Sequence, residues 1–438
     1  MKKENLSNFK KMYWDTKRKI ANRKIIISVI GLGYVGFPLA CLFSQKGFKV
    51  IGFDRDKDKI KKINSGKVDW SNWKSTYKNF IPTFDEKILD GSDIFIICVQ
   101  TPLKKYRPDL TYIKDASSLV SRYLKRGNIV IIESTLYPGA VEEVVKPILE
   151  SSGLQAGKDF FLGYSPERID PGNKKWKIEN IPKIVSGINK ESKELVKKLY
   201  STVIKKVVPV SNIKTAEAVK MVENVFRNVN ISLIYELSLF FEKIGIDTWE
   251  VIKAASTKPF GFMPHYPGPG IGGHCIPKDP YYLLFKARKS GCKLKIVEEA
   301  LKVSEKMPEH IIELVKKNVK KGSSIAVLGV TYKKNVPDIR RSPAEKIIRG
   351  LKKSGYNVFV FDPLVNETFG GKKCKKLKEA IKGKKCILLL VDHNYFKELE
   401  EKINKFSPSS VVVDTRNFIN PNKLTKSIRY VGLGKGRP

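Results

Sequence analysis

One stretch of this 438-residue chain sets a thiol, an imidazole and two charged groups on a glycine-rich run: GPGIGGHCIPKDPYYL, residues 268 to 283. Cys275 follows Gly272, Gly273 and His274 and precedes Pro277, Lys278 and Asp279, away from the apolar runs in which a core thiol usually lies. Glycines allow a ligand close approach, and neighbouring lysines favour a thiolate. Beside a hydride acceptor, such a thiol traps an aldehyde as a thiohemiacetal, which then loses hydride to become a thioester. The competing readings are a structural thiol and a metal ligand. A metal site needs three or four ligands at workable spacing. The four histidines (His265, His274, His310, His393) and six cysteines offer no such set, so no metal is expected.

The hydride acceptor is signalled near the other end of the chain. Ile25 to Ile30 reads as a buried parallel strand, and Gly31-Leu32-Gly33-Tyr34-Val35-Gly36 then opens a helix. In that fingerprint Gly31 permits the tight turn, Gly33 lets the backbone approach a pyrophosphate, and Gly36 lets the helix pack on the strand. The next strand, Lys49 to Phe53, ends in Asp54, which accepts hydrogen bonds from a ribose diol and repels a 2′-phosphate; the expected cofactor is NAD. VQTPL at 99–103 and ESTLYPG at 133–139 each follow an apolar strand, where ligands of doubly wound sheets bind. Thr101 and Thr135 therefore read either as contacts to the cofactor or reacting carbon, or as ordinary turn residues.

The elements that must position these groups follow from the hydrophobic pattern. Further apolar runs in DIFIICV, NIVIIE and FFLGYSPE alternate with helix-like segments, predicting a doubly wound sheet up to about residue 210. From Ile213 to about Ser256 the period becomes helical: Val219, Val222, Phe226, Val229 and Leu233 make an apolar stripe, and Glu217, Lys220, Asn224 and Arg227 a polar one. Such a helix has both faces in use. A second α/β unit starts at SSIAVLGVTYKK, with strands at Ile325–Leu328, Asn357–Phe361, Cys386–Val391 and Val411–Asp414; Gly329 and Asp362 echo Gly31 and Asp54. The expected architecture is α/β, two Rossmann-like doubly wound domains joined by a long central helix. Its expected parts are a basic extension over 1–24, a dinucleotide-binding domain over 25–210, a helical domain with the Cys loop over 211–321 and a second Rossmann-like domain over 322–438. The tail GLGKGRP reads as loose.

Composition narrows the class. A formal net charge of +39 raises the question of nucleic acid, but the lysines are spread over every helix as solvated faces, so no nucleic-acid partner is expected and an anionic small substrate is favoured. No run of 18 uncharged apolar residues exists, so no membrane span is expected. The N-terminal stretch lacks the apolar core of a secretory signal, which makes the cytoplasm the expected compartment.

The motifs GLGYVGFPLA, ESTLYPG, YSPERIDPGN, TAEAVKMVENVFRNVNISLIYE, PGPGIGGHCIPKDP, GVTYKKNVPDIRRSP and VVDTRN occur in this order between Ile25 and about Asn417. On them the chain resembles the UDP-glucose/GDP-mannose dehydrogenase family along nearly its whole length. The resemblance implies oxidation of a sugar C6 alcohol to a carboxylate, with two NAD used in succession. It implies that Cys275 is the nucleophile, that Lys220 and Asn224 stabilise the oxyanion, that Asp279 with Thr135 orders water, and that Glu167 is the base for thioester hydrolysis, its pKa raised by a closed site. It assigns Gly31, Gly33, Tyr34, Val35, Gly36, Asp54, Thr101, Thr135 and Arg340 to the cofactor, with Arg340 reaching it from a neighbouring subunit. It assigns Arg168, Ile169, Lys220, Asn224, Arg227, Gly272, Tyr332, Lys333 and Arg416 to a UDP-sugar, held by the C-terminal domain. A homodimer or larger homo-oligomer, built on the central helix, and a role in cell-surface polysaccharide or glycan precursor synthesis are implied too.

Within the family, KPFGFMPHYPGPGIGGHCIPKDPYYL and TPLKKYRPDLTYI are most similar to UDP-N-acetylglucosamine 6-dehydrogenases, with the UDP-N-acetylmannosamine enzymes next and UDP-glucose after them. SPERIDPG lacks the second glutamate of the UDP-glucose enzymes, and Gly261 stands where the mannosamine enzymes carry arginine. Gln100 departs from a family proline, which affects the shape of that turn. A rival of another class is a non-catalytic dinucleotide-binding protein, which accounts for Gly31 to Gly36 but not for Cys275, Lys220 and Glu167 together.

Overall fold

The computed structural model describes residues 2–66, 79–170, 172, 173 and 175–436. The chain divides into two compact units, Met1–Glu223 with Tyr281–Gly291, and Asn224–Pro280 with Cys292–Pro438.

In the first unit the isoleucine- and valine-rich runs become strands buried on both faces, as a sheet covered by helices requires. They are β1 (Ile26–Ile30), β2 (Lys49–Phe53), β3 (Phe80–Thr83), β4 (Ile94–Ile97), β5 (Ile129–Ile132), β6 (Phe161–Tyr164), β7 (Lys183–Gly187) and β8 (Val207–Pro209). Their order is β8-β7-β6-β5-β4-β1-β2-β3. The inner 3-2-1-4-5-6 arrangement is that of the dinucleotide fold, with the order reversing at β1. Every neighbouring pair is parallel except β6 and β7, whose register runs Gly163↔Gly187 and Tyr164↔Ser186.

The basic N-terminal stretch is the helix α1 (Lys2–Ala21). Tyr13, Thr16 and Ile20 face inward and are buried. The Phe9 ring lies 5.1 Å from that of Phe161, and Lys19 pairs with Asp93 at 3.1 Å. Burying Tyr13 and Ile20 contributes about 1.5–3 kcal/mol each, so the segment is part of the first unit's fold. The helices α2 (Gly36–Gln45), α3 (Lys57–Asn64), α4 (Thr111–Tyr123) and α5 (Lys190–Tyr200) also belong to this unit.

The helix α6 (Ile213–Ile244) is 32 residues long. It stops at Gly245, whose φ of +79° suits glycine, and Asp247 then caps the short helix α7 (Thr248–Ala255). One helix running to Ser256 is thus corrected to two. The stripes of α6 are inverted relative to an ordinary surface helix. Val222, Phe226 and Leu233 are 61%, 50% and 49% exposed, while Glu217 and Lys220 of the polar stripe are buried. Two more helices follow, α8 (Asp279–Lys289) and α9 (Lys295–Asn318).

The second unit's sheet holds β9 (Ser324–Leu328), β10 (Asn357–Phe361), β11 (Lys372–Lys373), β12 (Cys386–Leu389), β13 (Val411–Asp414) and β14 (Arg429–Gly432), in the order β11-β10-β9-β12-β13-β14. This repeats the inner order of the first sheet, and the local chemistry repeats as well. In the first, Asp54 at the end of β2 accepts from the Leu32 amide at 2.9 Å; in the second, Asp362 at the end of β10 accepts from the Val330 amide at 2.7 Å. The helix α10 (Pro343–Lys353) follows β9, after the loop 329–342.

The tail differs from expectation. Leu433 is fully buried, Trp249 donates its indole N–H to the Leu433 carbonyl at 2.8 Å, and the Gly436 amide bonds to Ile246 at 3.2 Å. The run is ordered through Gly436 because β14 pairs with β13 and carries Leu433 into the core; residues 437 and 438 lie outside the described residues. Among the described residues no helix is long and apolar enough to cross a membrane.

Candidate active site

The functional groups fall into two sets, one on each unit. In the first, the glycine fingerprint takes the predicted form. Gly31 has φ +96° and donates its amide to Phe53 at 2.8 Å. A Cβ on Gly36 would stand 1.9 Å from the Gly31 carbonyl, whereas one on Gly33 would meet nothing within 4 Å. Gly36 is therefore fixed by packing and Gly33 leaves open space, as close approach of a pyrophosphate demands. Val35 caps α2 without a side-chain hydrogen bond and Tyr34 beside it is exposed, so no side chain caps this end of the helix; the Phe37 amide is bonded to the Gly33 carbonyl at 3.2 Å. The cradle fits a dinucleotide. Asp54 accepts from Leu32 and from the Lys59 ammonium at 2.6 Å through one oxygen, and from the Asp56 amide at 3.0 Å through the other.

Thr101 and Thr135 come together at the ends of β4 and β5: the Thr101 hydroxyl donates to the Thr135 carbonyl at 2.9 Å. Tyr282 adds its hydroxyl to the Thr101 carbonyl at 2.9 Å. Glu167, beyond β6, is brought together with Lys220, whose ammonium bonds to the Glu167 main-chain carbonyl at 2.6 Å. The Glu167 carboxylate accepts from the amides of Arg168 and Ile169 at 2.7 and 2.8 Å. Its other oxygen pairs with buried Lys183 at 2.7 Å. Here the expectation of a raised pKa is overturned. Burial alone pushes the carboxyl up, but the Lys183 ammonium, the Arg168 amide and Lys220 together hold it below the usual carboxylate range. Arg168 spreads its guanidinium between the Pro182 carbonyl at 2.7 Å and Glu223 at 2.6 Å. Glu217 of the polar stripe accepts from the Gly139 and Val141 amides, holding the YPG turn; burial pushes its carboxyl up to about 8.

The second unit holds the thiol loop. Cys275 is half-buried, and its carbonyl accepts from the Lys278 and Asp279 amides at 3.0 and 2.9 Å, so the thiol stands at the entrance to α8. Asp279 is fully buried, accepts from the Asn224 amide group at 2.6 Å and pairs with buried Lys278 at 2.9 Å. His274 lies 4.0 Å from the sulfur through Nδ1. Its pKa is pushed down to about 4, mainly by burial and then by Lys278 and Arg340, so it is a neutral imidazole near neutral pH and gives the thiol no imidazolium partner.

The loop's glycines are fixed by neighbours. A Cβ on Gly272 would stand 2.7 Å from Tyr332, and one on Gly273 would meet the Tyr332 ring at 2.8 Å. The Gly273 amide bonds to the Arg340 carbonyl at 3.0 Å. The Arg340 guanidinium folds back on Asp338, bonding both carboxylate oxygens. Lys333 is half-buried, with its carbonyl bonded to the Thr331 hydroxyl at 3.1 Å. Arg416, at the end of β13, bonds to Asp392 at 3.2 Å and sits where a Cβ on Gly268 would meet it at 2.8 Å. Arg227 is exposed on α6.

Sequence reasoning missed Lys183, Glu133 and Tyr200, and in the second unit Asp392 and His393. The signal for Lys183 was a lone lysine opening an otherwise apolar strand, IPKIVSG. Among the described residues no cluster of three or more His, Cys, Asp or Glu is arranged to hold a metal ion.

Residues 25–204 match the NAD binding domain of the UDP-glucose/GDP-mannose dehydrogenase family, 214–306 its central domain and 326–421 its UDP binding domain. A UDP-N-acetyl-D-glucosamine 6-dehydrogenase of Pseudomonas aeruginosa is 42% identical over 354 residues, covering 78% of this chain and 83% of that protein. A UDP-N-acetyl-D-mannosamine dehydrogenase of Pyrococcus horikoshii is 36% identical over 423 residues, 93% of this chain and 99% of that protein. A solved structure of UDP-D-ManNAc dehydrogenase from P. horikoshii aligns with a TM-score of 0.86 at 34% identity, covering 94% and 100% of the two chains.

Proposed function

The chain belongs to the UDP-glucose/GDP-mannose dehydrogenase family, and from that we propose that it oxidises the C6 alcohol of UDP-N-acetylglucosamine to the uronate by a four-electron reaction, supplying a surface-polysaccharide precursor. The observation that carries this reading is the thiol loop: a half-buried Cys275 at the entrance to α8, with Asp279 held by Asn224 at 2.6 Å and by Lys278 at 2.9 Å.

The glycine turn of residues 31–36 would hold NAD, which would supply the hydride acceptor for each of the two oxidations at C6. The first turns the alcohol into an aldehyde. Cys275 then adds its sulfur to the aldehyde carbon, and Lys220 and Asn224, one helical turn apart on α6, stabilise the oxyanion. Loss of the second hydride leaves a thioester on the sulfur. Water, ordered by Asp279 and Thr135, attacks that carbon while Glu167, already ionised, takes its proton; the thiol and a carboxylate are released. Tyr332, Lys333, Arg168, Arg227 and Arg416 supply the polar and cationic groups suited to a UDP diphosphate.

The choice of substrate sugar is supported by the P. aeruginosa relative at 42% identity, by the single glutamate of SPERIDPG and by Gly261. A second reading, UDP-N-acetylmannosamine, is supported by the P. horikoshii relative, which matches over more of the chain. A homodimer is supported by α6: Val222, Phe226, Val229, Leu233, Leu237, Phe240 and Ile244 recur at three- and four-residue steps, and most are left to solvent. Such a seam suits packing against a second copy of the helix.

A panel of UDP-glucose, UDP-N-acetylglucosamine, UDP-N-acetylmannosamine and GDP-mannose, read by NADH absorbance, tests the assignment. About two NADH per UDP-N-acetylglucosamine is the expected yield. Preference for another sugar overturns the substrate, and no reduction with any of the four overturns the enzyme.

A further inference from the structure

The one antiparallel pair in the first sheet has a chemical consequence. Its register pairs Gly163 with Gly187 and Tyr164 with Ser186, and carrying that register onward sets residue 183 opposite residue 167. A parallel β7 would have left Lys183 at the far end of the sheet, away from the crevice. Reversal delivers it instead to the C-terminal end of β6, where its buried ammonium lies 2.7 Å from Glu167 and 3.0 Å from Glu133. Glu133, at the end of β5, accepts a hydrogen bond from the Tyr200 hydroxyl through its other oxygen, and the ammonium sits 5.1 Å from the Tyr200 ring centroid.

The charged and titratable groups around Glu167 come from the elements packed about it: Lys183 from β7, Glu133 just past β5, Cys98 just past β4, Tyr200 from α5 and Lys220 from α6. Two carboxylates are matched by two ammonium groups. An apolar side chain of similar length would fill the same space at no desolvation cost, so packing alone does not account for the ammonium.

We propose that Lys183 is a positioning residue for the hydrolysis step: bridging Glu133 and Glu167, it keeps Glu167 a carboxylate and fixes the turn whose carbonyl holds Lys220. It touches neither substrate nor cofactor and acts through Glu167. This rests on the proposed four-electron reaction. Burial pushes the Glu133 carboxyl up even beside Lys183; without the ammonium the two buried carboxyls hold one proton between them. A Glu167 that shares this proton is a poorer acceptor for the proton of attacking water, so the thioester on Cys275 persists longer, until higher pH removes the shared proton.

The test compares wild type, Lys183→Met, Lys183→Arg and the double variant Lys183→Met/Glu133→Gln. Each is turned over with UDP-N-acetylglucosamine and NAD from pH 6 to 9.5, and quenched samples are weighed intact for an acyl adduct on Cys275. Lys183→Met is expected to accumulate the adduct, to lose about ten-fold or more in turnover at pH 7 and to recover part of it at pH 9, the acid limb moving up by about one unit or more. Lys183→Arg restores the wild-type profile. If Lys183→Met does not fold, the double variant, relieved of carboxylate repulsion, carries the test: its limb still moves up because the ammonium that lowers Glu167 is gone, but by less than in Lys183→Met. An unshifted acid limb without adduct, or a loss equal at every pH that arginine does not rescue, overturns the proposal. Wild type yielding about one NADH per sugar sinks the parent reaction instead, which keeps the two failures distinguishable.

Discussion

The ammonium of Lys220 rests 2.6 Å from the main-chain oxygen of Glu167, while the carboxylate of the same glutamate is tied to its own following amides and to Lys183. Glu167 thus serves two neighbours with two different ends. Substituting its side chain removes the proposed base and also loosens the carbonyl that holds Lys220, so Glu167→Gln is expected to slow both NADH formation and release of the acyl adduct, read by absorbance and intact mass.

The two glycines of the dinucleotide turn should separate stability from binding. Gly36→Ala forces a Cβ to within 1.9 Å of the Gly31 carbonyl and is expected to cost about 1–3 kcal/mol, seen as a lowered Tm. Gly33→Ala meets no protein atom within 4 Å; its Tm should match wild type while NAD titration shows weakened binding. A normal Tm for Gly36→Ala would contradict the close helix packing.

Cys275→Ser retains a hydroxyl in the loop but loses the sulfur proposed to hold the aldehyde. The expected yield is at most about one NADH per sugar, with no acyl adduct by intact mass. Full wild-type stoichiometry from this variant would remove the thioester from the reaction.

Glu217 predicts a pH-dependent stability of definite sign. Its carboxyl stands at about 8 in the folded protein because of burial, above the 4.5 of a free glutamate. The folded state therefore binds the extra proton between these values, and the contribution to stability falls as pH rises through that window, the penalty being complete above about pH 8. Glu217→Gln should flatten the fall in Tm between pH 6 and 9, by on the order of a few degrees. Parallel curves for the two proteins would rule out this group as the source.

The exposed seam of α6 can be tested by charge. Phe226→Glu with Leu233→Glu changes two outward side chains, 50% and 49% exposed. Sedimentation should show a dimer in wild type and a monomer in the variant, with little change in the far-UV spectrum. Unaltered assembly would place the interface elsewhere.

The strands and the fingerprint were readable because each depends on a few adjacent residues. An apolar run before Gly31 and a carboxylate after Phe53 suffice for the turn, and the structure places both as read. The inversion of α6 was not readable. Periodicity separates two stripes without saying which one meets protein, and here Glu217 and Lys220 face inward because they bond to the turns of residues 139–141 and 167. Lys183 and Glu133 escaped notice for a related reason: their pairing depends on the direction of β7, which no local pattern encodes. The tail was misread because glycines suggest looseness, while Leu433 between them is buried.

The repeated carboxylate-to-turn bond in the two sheets also sets a difference between them. Asp362 is enclosed: its Oδ2 accepts from Val330 and Thr331 and meets the imidazole of His393, and its Oδ1 accepts from Leu364, all held in place by the fold. Asp54 has one replaceable companion, the half-exposed ammonium of Lys59. An incoming diol can displace a flexible amine at the rim but not an imidazole sealed in the interior. Of the two copies of this device, the first retains an exchangeable position, in the half-exposed Lys59.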